Sequence, residues 1–372
     1  MNVPLLDLKA QYRSIKSEVL AVMETVCDEQ GFVLGPRVAD FEKATAQYVG
    51  SRYAIGCASG SDALLLSLMA FGVKAGDEVI TVPFTFFATA GAISRLGAKP
   101  VFVDIQPGTF NIDPGQIERA VTPRTKAIIP VHLFGQCADM PTINQIAGRK
   151  KLRVIEDACQ AIGAAQQGRR AGVLADVGCF SFFPTKNLGG FGDGGLLTTD
   201  DQALADALSM LRVHGSRVRY LHEAVGINSR LDALQAAILH VKLRCLDQWT
   251  EGRRRNAERY HRLFTQANLL DRVTLPPTAP GNFHVYNQYT VRVPKRDELR
   301  IFLKDKGVGS EVYYPLPMHL QNCYQDLGYQ KGSFPLSERA AEEVLSLPIY
   351  AELTEEQQAY VVQLIGQFYR RA

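Results

Sequence analysis

A lysine at the start of a glycine-rich loop is the residue of this 372-residue chain with the clearest chemical potential. Lys186 comes four residues after the apolar stretch 177–182 and precedes a loop with five glycines at positions 189–195. Desolvation at the end of a buried strand destabilises the ammonium form and favours the free amine that forms a Schiff base. The glycines allow tight backbone turns beside a bulky ligand. The alternative is a surface lysine in a turn, which is what most lysines are.

A carboxylate follows a second apolar stretch. Asp157 ends the segment 153–157, and open α/β sheets bind their ligands at the carboxyl ends of strands. A carboxylate there can pair with a protonated pyridine nitrogen and keep that ring an electron sink. Gln160, three residues later, is placed to hydrogen-bond near the phenolic oxygen of the same ring. The alternative role for Asp157 is a helix N-cap, which is common where a strand is followed by a helix.

A Gly-Ser step is the candidate phosphate site. Gly60 and Ser61 open an expected helix, so they offer backbone N–H groups, a hydroxyl and the positive helix end to an anion. Ser181, on the stretch that leads to Lys186, is a further candidate phosphate ligand. The chain has neither the Walker pattern nor the Gly-x-Gly-x-x-Gly fingerprint. An NTPase or a dinucleotide-dependent oxidoreductase is therefore not supported.

Aromatic residues at positions 84, 86 and 87 add a possible stacking ring. Phe86 is the best candidate for packing on a planar cofactor, whereas Phe84 and Phe87 are expected in the core, because aromatic clusters are more often core. Together the segments supply a phosphate cradle, a stacking ring, a pyridine partner and a Schiff-base lysine in that chain order. Each signal is weak alone, and the combination predicts a cofactor site.

Alternating strand-like and helix-like segments must position these residues. The strand-length apolar runs are 53–57, 78–82, 100–104, 127–131, 153–157, 177–182 and 195–199. Helical patterns at 61–72, 85–96 and 140–150 lie between the earlier runs, and this alternation predicts a mainly parallel α/β sheet. The near-continuous apolar character of several runs indicates strands that are covered on both faces.

The pattern changes after about residue 230, which indicates a second, smaller domain. A long helical stretch over 231–264 is followed by a proline-rich loop at 276–281. Beyond this loop the sequence predicts strands at 285–293 and 310–314 and helices at 296–306, 337–346 and 354–370. We assign residues 1–250 to a large cofactor-binding domain, including an N-terminal arm and an interface helix, and 251–372 to a small C-terminal domain.

The composition narrows the class of protein. The net charge of +3 gives no basic stripe of the kind that a dedicated nucleic-acid binder carries. The seven cysteines are scattered without a Cys-x-x-Cys pair, so neither a disulfide framework nor a metal site is expected. The first residues lack the apolar core of a secretion signal, and no run has the length of a membrane span. These features predict a cytoplasmic protein.

Three segments resemble the DegT-type (StrS-like) family of sugar-nucleotide aminotransferases, namely 155–160, 181–189 and 226–237. The similarity extends from Leu5 almost to the C-terminus. The resemblance implies an α/β protein with the type I PLP-dependent aminotransferase fold, in which a large domain holds a mixed, mainly parallel seven-stranded sheet beside a smaller α+β C-terminal domain. Pyridoxal 5′-phosphate (PLP) is the implied cofactor.

The same resemblance implies a role for each candidate. The implied cofactor residues are Lys186 as the catalytic Schiff-base lysine, Asp157 at the pyridine nitrogen, Gln160 near the ring hydroxyl, Gly60, Ser61 and Ser181 at the phosphate, and Phe86 on the ring face. Asn228 is expected to reach the phosphate from a partner subunit, so a homodimer with shared active sites is implied. Arg230, Tyr314 and His319 are expected to line the substrate pocket. The alternative for Arg230 is a salt bridge that supports the interface.

The predicted reaction transfers an amino group from L-glutamate to C3 of a nucleotide-linked 3-keto-sugar. The segment 222–230 is similar to enzymes that act on UDP-linked 2-acetamido-3-keto-uronic acids, which we favour. The loop 186–189 is also similar to enzymes for dTDP-linked 3-keto-6-deoxyhexoses. A non-catalytic regulatory or sugar-nucleotide-binding protein on the same fold is the alternative of a different class. Related sugar dehydratases have histidine in place of the lysine, and Lys186 argues against that activity.

Overall fold

One mixed sheet of seven strands organises the chain. The computed structural model describes residues 1–371, with the side chains of residues 1–370. The strands are β1 (Tyr53–Cys57), β2 (Glu78–Thr81), β3 (Lys99–Phe102), β4 (Thr125–Ile128), β5 (Arg153–Asp157), β6 (Ala165–Gln166), β7 (Arg169–Arg170), β8 (Val177–Ser181), β9 (Gly195–Thr199), β10 (Ser216–Val218), β11 (Leu221–His222), β12 (Asn282–Phe283), β13 (Tyr289–Arg292) and β14 (Val344–Leu347). The seven expected runs are confirmed as the strands of the central sheet, whose order is β1-β9-β8-β5-β4-β2-β3.

The direction of the strands brings the candidate residues to one edge of the sheet. The pairs β2–β3, β2–β4, β4–β5 and β5–β8 are parallel, while β9 is antiparallel to both β8 and β1. Because of this arrangement, the ends of β1, β5 and β8 and the start of β9 lie at the same edge. Gly195 pairs with both Cys57 and Ser181, and Asp157 pairs with Cys179.

Helices cover both faces of the sheet. They are α1 (Leu8–Glu29), α2 (Pro36–Val49), α3 (Gly60–Ala70), α4 (Phe87–Arg95), α5 (Pro114–Ala120), α6 (Met140–Lys150), α7 (Gln202–Leu211), α8 (Ala233–Leu243), α9 (Leu246–Gln266), α10 (Arg296–Asp305), α11 (Pro335–Glu343) and α12 (Glu355–Arg371). Neighbouring residues of one strand face opposite apolar cores: Leu196 packs in one and Leu197 in the other, and both are fully buried. This two-sided burial explains the near-continuous apolar runs.

The C-terminal part departs from the sequence prediction at three places. The expected strand 285–293 is shortened to β13 (Tyr289–Arg292). The expected helix 337–346 ends at Glu343, and the next four residues form β14, which pairs antiparallel with β13. The expected strand at 310–314 is reduced to one bridge between Glu311 and Ser346. The helix ends early because all four residues of β14 are buried and pair with β13, and this tertiary pairing overrides the helical pattern that precedes them.

Two further features concern the middle of the chain. The long helical stretch is interrupted between Leu243 and Leu246, so it forms α8 and α9. The expected domain boundary at residue 250 falls inside α9, and the division into 1–250 and 251–372 stays a prediction. Among the described residues, no helix has the length and apolarity needed to cross a bilayer.

Candidate active site

The phosphate cradle is built where β1 turns into α3. Gly60 is the first residue of α3, and Ser59 caps the helix by accepting a hydrogen bond from Asp62 N (3.1 Å). The helix therefore begins one residue earlier than expected. A Cβ added at Gly60 would lie 2.7 Å from Ser181 Cβ and 2.8 Å from Cys159 Sγ, so only glycine fits without displacement. The close approach brings Gly60 and Ser181 together, while the exposed Ser61 presents its hydroxyl at the surface.

A serine that sequence reasoning missed ties a distant loop to this cradle. Ser229 is fully buried, donates through Oγ to Asp62 Oδ2 (2.7 Å) and accepts from Ala58 N (3.1 Å). Its two partners flank the Ser59–Gly60 turn. Ser229 lies within the 226–237 motif, but the contacts join residues about 170 positions apart in sequence, which no local pattern reveals.

Asp157 is fixed at the end of β5. Its Oδ2 accepts a hydrogen bond from Thr89 Oγ1 (2.7 Å), and its Oδ1 accepts a longer one from Cys159 N (3.3 Å). The side chain is only 5% exposed. No α-helix directly follows β5, since residues 158–164 form turns and irregular structure. The alternative role of Asp157 as a helix N-cap is therefore wrong, and Oδ1, whose one hydrogen bond is long, is the oxygen better placed to serve a ligand.

Lys186 lies in the loop that leaves β8, close to Asp157. Burial lowers the pKa of the Lys186 ammonium from its ordinary value, while the nearby Cys159 and Asp157 act in the opposite direction. No hydrogen bond of Nζ is found among the described side chains. An amine of lowered pKa without a protein partner is the form that attacks a carbonyl group. The loop itself is anchored by Lys242, whose Nζ donates to the Gly189 carbonyl oxygen.

Gln160 and Tyr314 form a polar pair beside these groups. Gln160 Nε2 donates to the Tyr314 hydroxyl (3.1 Å), and Gln160 Oε1 accepts from Phe134 N (2.7 Å). Desolvation raises the pKa of Tyr314 well above its usual range, and the neighbouring Asp157 charge raises it further. The phenol is therefore neutral at physiological pH. Tyr314, expected in the substrate pocket, lies next to the expected cofactor residues Gln160 and Asp157.

The three phenylalanines of the β2–α4 turn have different environments. Phe84 is fully buried, which confirms its core assignment. Phe86 is 57% exposed, and its ring centroid lies 6.1 Å from that of Tyr314, so one face is available to a planar ligand. Phe87 was expected in the core, and this is wrong: its ring is 46% exposed and packs against Tyr324 beside an open cavity.

That cavity opens beside the candidate site. It has a volume of about 910 Å³, and its lining includes Ser61, Phe86, Phe87 and Tyr324. Pockets for small organic ligands have volumes of roughly 300–1,000 Å³. The site and the cavity therefore share Ser61 and Phe86 as common walls.

The remaining candidates lie at different depths. Asn228 is exposed and Arg230 is partly buried, on either side of the buried Ser229. The His319 side chain is 0% exposed, its Nε2 pairs with Glu338 Oε1 (3.0 Å), and desolvation lowers the pKa of the imidazole. Its ring also packs against Phe334. This closed environment favours a structural part for His319, and its contact with substrate stays a prediction.

The donor set fits pyridoxal phosphate. A phosphate requires the free N–H groups of a helix start, which α3 offers beside Ser61 and Ser181. The ring requires an exposed aromatic face and a buried carboxylate, which Phe86 and Asp157 supply. The close approach at Gly60 brings Ser181 to the start of α3, so both expected phosphate ligands lie at one place.

Fold and site together define a PLP-dependent enzyme with the type I aminotransferase fold. Residues 13–366 match the family model described as the DegT/DnrJ/EryC1/StrS aminotransferase family. The chain belongs to this family of PLP-dependent sugar aminotransferases.

Three known proteins are highly similar to this chain. A "Pleiotropic regulatory protein" of Geobacillus stearothermophilus is 55% identical over 370 residues, which cover 100% of this chain and 99% of that protein. The "UDP-2-acetamido-2-deoxy-3-oxo-D-glucuronate aminotransferase" of Pseudomonas aeruginosa is 45% identical over 351 residues, covering 94% and 96%. The crystal structure of S. venezuelae DesV in complex with a ketimine intermediate superposes with a TM-score of 0.96 at 42% identity, covering 100% of this chain and 99% of that one.

Proposed function

We propose that this chain transfers the amino group of L-glutamate to C3 of a nucleotide-linked 3-keto-sugar, specifically a UDP-2-acetamido-3-keto-uronic acid. The observation that carries the transferase chemistry is the partly buried Lys186 amine, of lowered pKa, beside the buried Asp157 carboxylate. The sugar is supported by the segment 222–230 and by 45% identity with a relative named for a 3-oxo-glucuronate substrate.

The cofactor residues each have a distinct part in this proposal. Lys186 Nζ would hold the cofactor through its aldehyde, and Asp157 would keep the proton at the ring nitrogen. Phe86 would cover one face of the ring, and Gln160, paired with Tyr314, would orient the ring hydroxyl. The N–H groups at the start of α3 bind the phosphate together with the Ser61 and Ser181 hydroxyls.

Lys186 also moves the proton. When bound, pyridoxal phosphate supplies an electron sink next to the carbon that loses its proton. With the cofactor bound, a free Lys186 Nζ would accept the proton from the α-carbon of glutamate as a general base. Toward the keto-sugar, the same Nζ would deliver a proton to C3 as a general acid. Burial supports both steps, because it keeps the pKa of Nζ below that of an exposed lysine.

We infer that the active unit is a homodimer. Asn228 is exposed on its own subunit, directly before a serine that is fixed in that subunit's cradle. The nearby β10–β11 hairpin carries apolar side chains that are largely exposed, including Tyr220 (77%) and Leu221 (65%). A partner subunit would cover such a surface and receive Asn228 at its own phosphate site. Sedimentation analysis should give a dimer, and a monomer that turns over would contradict the shared site.

Arg230 is the proposed ligand of the sugar carboxylate. Arginine binds carboxylates in a two-pronged arrangement that lysine cannot reproduce. Arg230→Met should raise KM for the uronic acid by about tenfold or more. KM for a neutral 3-keto-sugar should stay the same. An equal rise for both sugars would indicate the alternative, in which Arg230 supports the interface.

The substrate is tested most reliably in the reverse direction. The purified holoprotein is incubated with 2-oxoglutarate and either the UDP-linked 3-amino-uronic acid or a dTDP-linked 3-amino-6-deoxyhexose, and glutamate formation is measured. We expect glutamate with the UDP-linked compound. Glutamate with the dTDP-linked compound alone would transfer the proposal to that sugar class.

A regulatory role is the second candidate, because the 55% identical relative is named a regulatory protein. A purely regulatory protein would bind the cofactor or the sugar nucleotide without turnover. The visible spectrum separates the two roles, since addition of glutamate changes the absorbance of a competent aminotransferase. An unchanged spectrum together with no turnover on either sugar would favour regulation.

A further inference from the structure

A chain of two hydroxyl groups ends on Asp157. Thr89 Oγ1 lies 2.7 Å from Asp157 Oδ2, and Thr85 Oγ1 lies 3.0 Å from Thr89 Oγ1. All three side chains are buried, with exposures of 1% for Thr85, 0% for Thr89 and 5% for Asp157. The two threonines are 68 and 72 positions from Asp157 in sequence, at the start of α4.

The direction of these hydrogen bonds follows from chemistry. An ionised carboxylate only accepts, so the single proton of the Thr89 hydroxyl points to Asp157. Thr89 Oγ1 is then an acceptor toward Thr85, and the Thr85 hydroxyl donates to it. The chain therefore runs one way, from Thr85 through Thr89 to the carboxylate, and each donor strengthens the next.

Two other buried or helical threonines of this chain, Thr45 and Thr265, show the usual local alternative. Thr45 and Thr265 donate their hydroxyls to the carbonyl oxygens four residues earlier in their own helices, at Phe41 and His261. That local bond is the usual way in which a helical threonine is satisfied. Thr89 instead donates its hydroxyl proton to Asp157, at the end of β5. This difference separates Thr89 from a threonine that merely fills space.

We propose that Thr89 is a positioning residue for the reaction, whose hydroxyl, supported by Thr85, holds the Asp157 carboxylate oriented toward the cofactor ring nitrogen. The inference rests on the proposed role of Asp157 at that nitrogen. A hydrogen bond of 2.7 Å from Thr89 Oγ1 to Oδ2 restricts the rotation of the carboxylate. The remaining oxygen, Oδ1, accepts only one long bond and is the one available to the ring.

The location of the two threonines extends the argument. Phe86, the proposed stacking ring, is the N-cap residue of the same helix and lies between Thr85 and Thr89 in sequence. The start of α4 would therefore position the cofactor ring in two ways. Phe86 would contact the face of the ring, and Thr89 would act on the ring nitrogen through Asp157. The titratable groups that face Asp157 are Lys186, Cys159, Cys179 and Tyr314; of these, Cys159 interacts with the carboxylate through its thiol and through its backbone N–H, which lies 3.3 Å from Oδ1.

The test compares Thr89→Val, Thr89→Ser and the matched control Thr45→Val. Valine keeps the shape of threonine and removes the hydroxyl. For Thr89→Val we expect the dissociation constant of pyridoxal phosphate, titrated into the apoprotein, to rise about tenfold. We also expect kcat to fall by about tenfold with little change in KM. Thr89→Ser should recover most of both losses, and Thr45→Val should match the wild type in cofactor affinity and kcat.

A spectroscopic readout tests the mechanism apart from turnover. A carboxylate that is no longer held toward the ring nitrogen pairs less well with the proton there, so the ring would carry less positive charge. The Schiff-base nitrogen of Lys186 would then keep its proton to higher pH. The pH at which the visible absorbance of the bound cofactor changes should move upward in Thr89→Val, on the order of half a pH unit. A variant that only loosened packing would not move this pH.

A double variant separates this inference from the proposed function. If Thr89 acts through Asp157, then Thr89→Val added to Asp157→Asn should cause no further loss of kcat. Near-normal turnover in Asp157→Asn would overturn the proposed role of Asp157. A strong defect in Asp157→Asn beside wild-type affinity, kcat and spectrum in Thr89→Val would overturn the role of Thr89 alone.

Discussion

Gly60→Ala is the perturbation whose effect can be worked most directly from the structure. The added Cβ would lie 2.7 Å from Ser181 Cβ and 2.8 Å from Cys159 Sγ, whereas carbon atoms in contact prefer about 3.5–4.0 Å. One of the elements must therefore move by about 1 Å. The nearest atoms belong to the end of β8, which leads into the Lys186 loop, so the displacement reaches the proposed cofactor site.

The magnitude follows from two opposing effects. Overpacking of a filled core costs about 1–3 kcal/mol. Alanine in place of glycine stabilises a helix by about 0.5–1 kcal/mol. We therefore expect the free energy of unfolding of the apoprotein to fall by about 1–2 kcal/mol, with a larger apparent loss in the holoprotein because the phosphate cradle is distorted.

The assay combines urea unfolding with cofactor titration. Gly148→Ala is the matched control, because Gly148 is an exposed glycine inside α6 with no atom within 4 Å of an added Cβ. That variant should be stabilised by about 0.5–1 kcal/mol and bind the cofactor like the wild type. Gly60→Ala with wild-type stability and wild-type affinity would refute the reasoning. A loss of stability without loss of affinity would refute the phosphate role of Gly60.

Three further predictions follow from single side chains. Phe86→Ala should leave the stability of the apoprotein nearly unchanged, because the ring is 57% exposed, but it should weaken cofactor binding severalfold. Phe84→Ala should instead lower the free energy of unfolding in urea by about 3–5 kcal/mol, because this ring is fully buried. Ser229→Ala leaves Ala58 N and Asp62 Oδ2 without their hydrogen-bond partner, so the free energy of unfolding should fall by about 1–3 kcal/mol. An unchanged stability would mean that other contacts hold the 228–230 loop to the cradle. Burial lowers the pKa of Lys242 to about 8, and the unfolded chain keeps this proton up to about pH 10. Between these values the unfolded state binds more protons than the folded state. The free energy of unfolding of the wild-type apoprotein should therefore rise with pH relative to Lys242→Met, on the order of 2 kcal/mol. Parallel pH profiles of the two proteins would contradict this.

The central sheet could be predicted because its strands are buried on both faces. Apolar β-branched runs mark such strands even in a single sequence, and the bounds of β1, β5 and β9 coincide with the expected ones. The region of β14 could not be predicted, because its four residues become a strand only through pairing with β13, more than 50 positions earlier in sequence. Local propensity carries no information about that partner.

The candidate site divides in the same way. Lys186 and Asp157 could be proposed from the sequence because each lies at or after the end of a recognisable strand and carries a distinctive functional group. Thr89 and Ser229 were missed because their contacts with Asp157 and Asp62 span 68 and 167 positions. A threonine in a helix and a serine in a loop are chemically ordinary until the fold brings a carboxylate to them. The exposure of Phe87 likewise depends on a cavity that only the tertiary structure creates.

The identity of the cofactor-bearing lysine is the most direct test of this account. Reduction of the holoprotein with borohydride fixes the cofactor to its lysine, and peptide mapping by mass spectrometry then locates the modified residue. The natural competitor is Lys242, which is also buried, also has a lowered pKa and contacts the same loop. We predict that the modification is found on Lys186, and that it is absent from Lys186→Arg. Modification of Lys242 instead, or of no single lysine, would contradict the assignment of Lys186 as the catalytic residue.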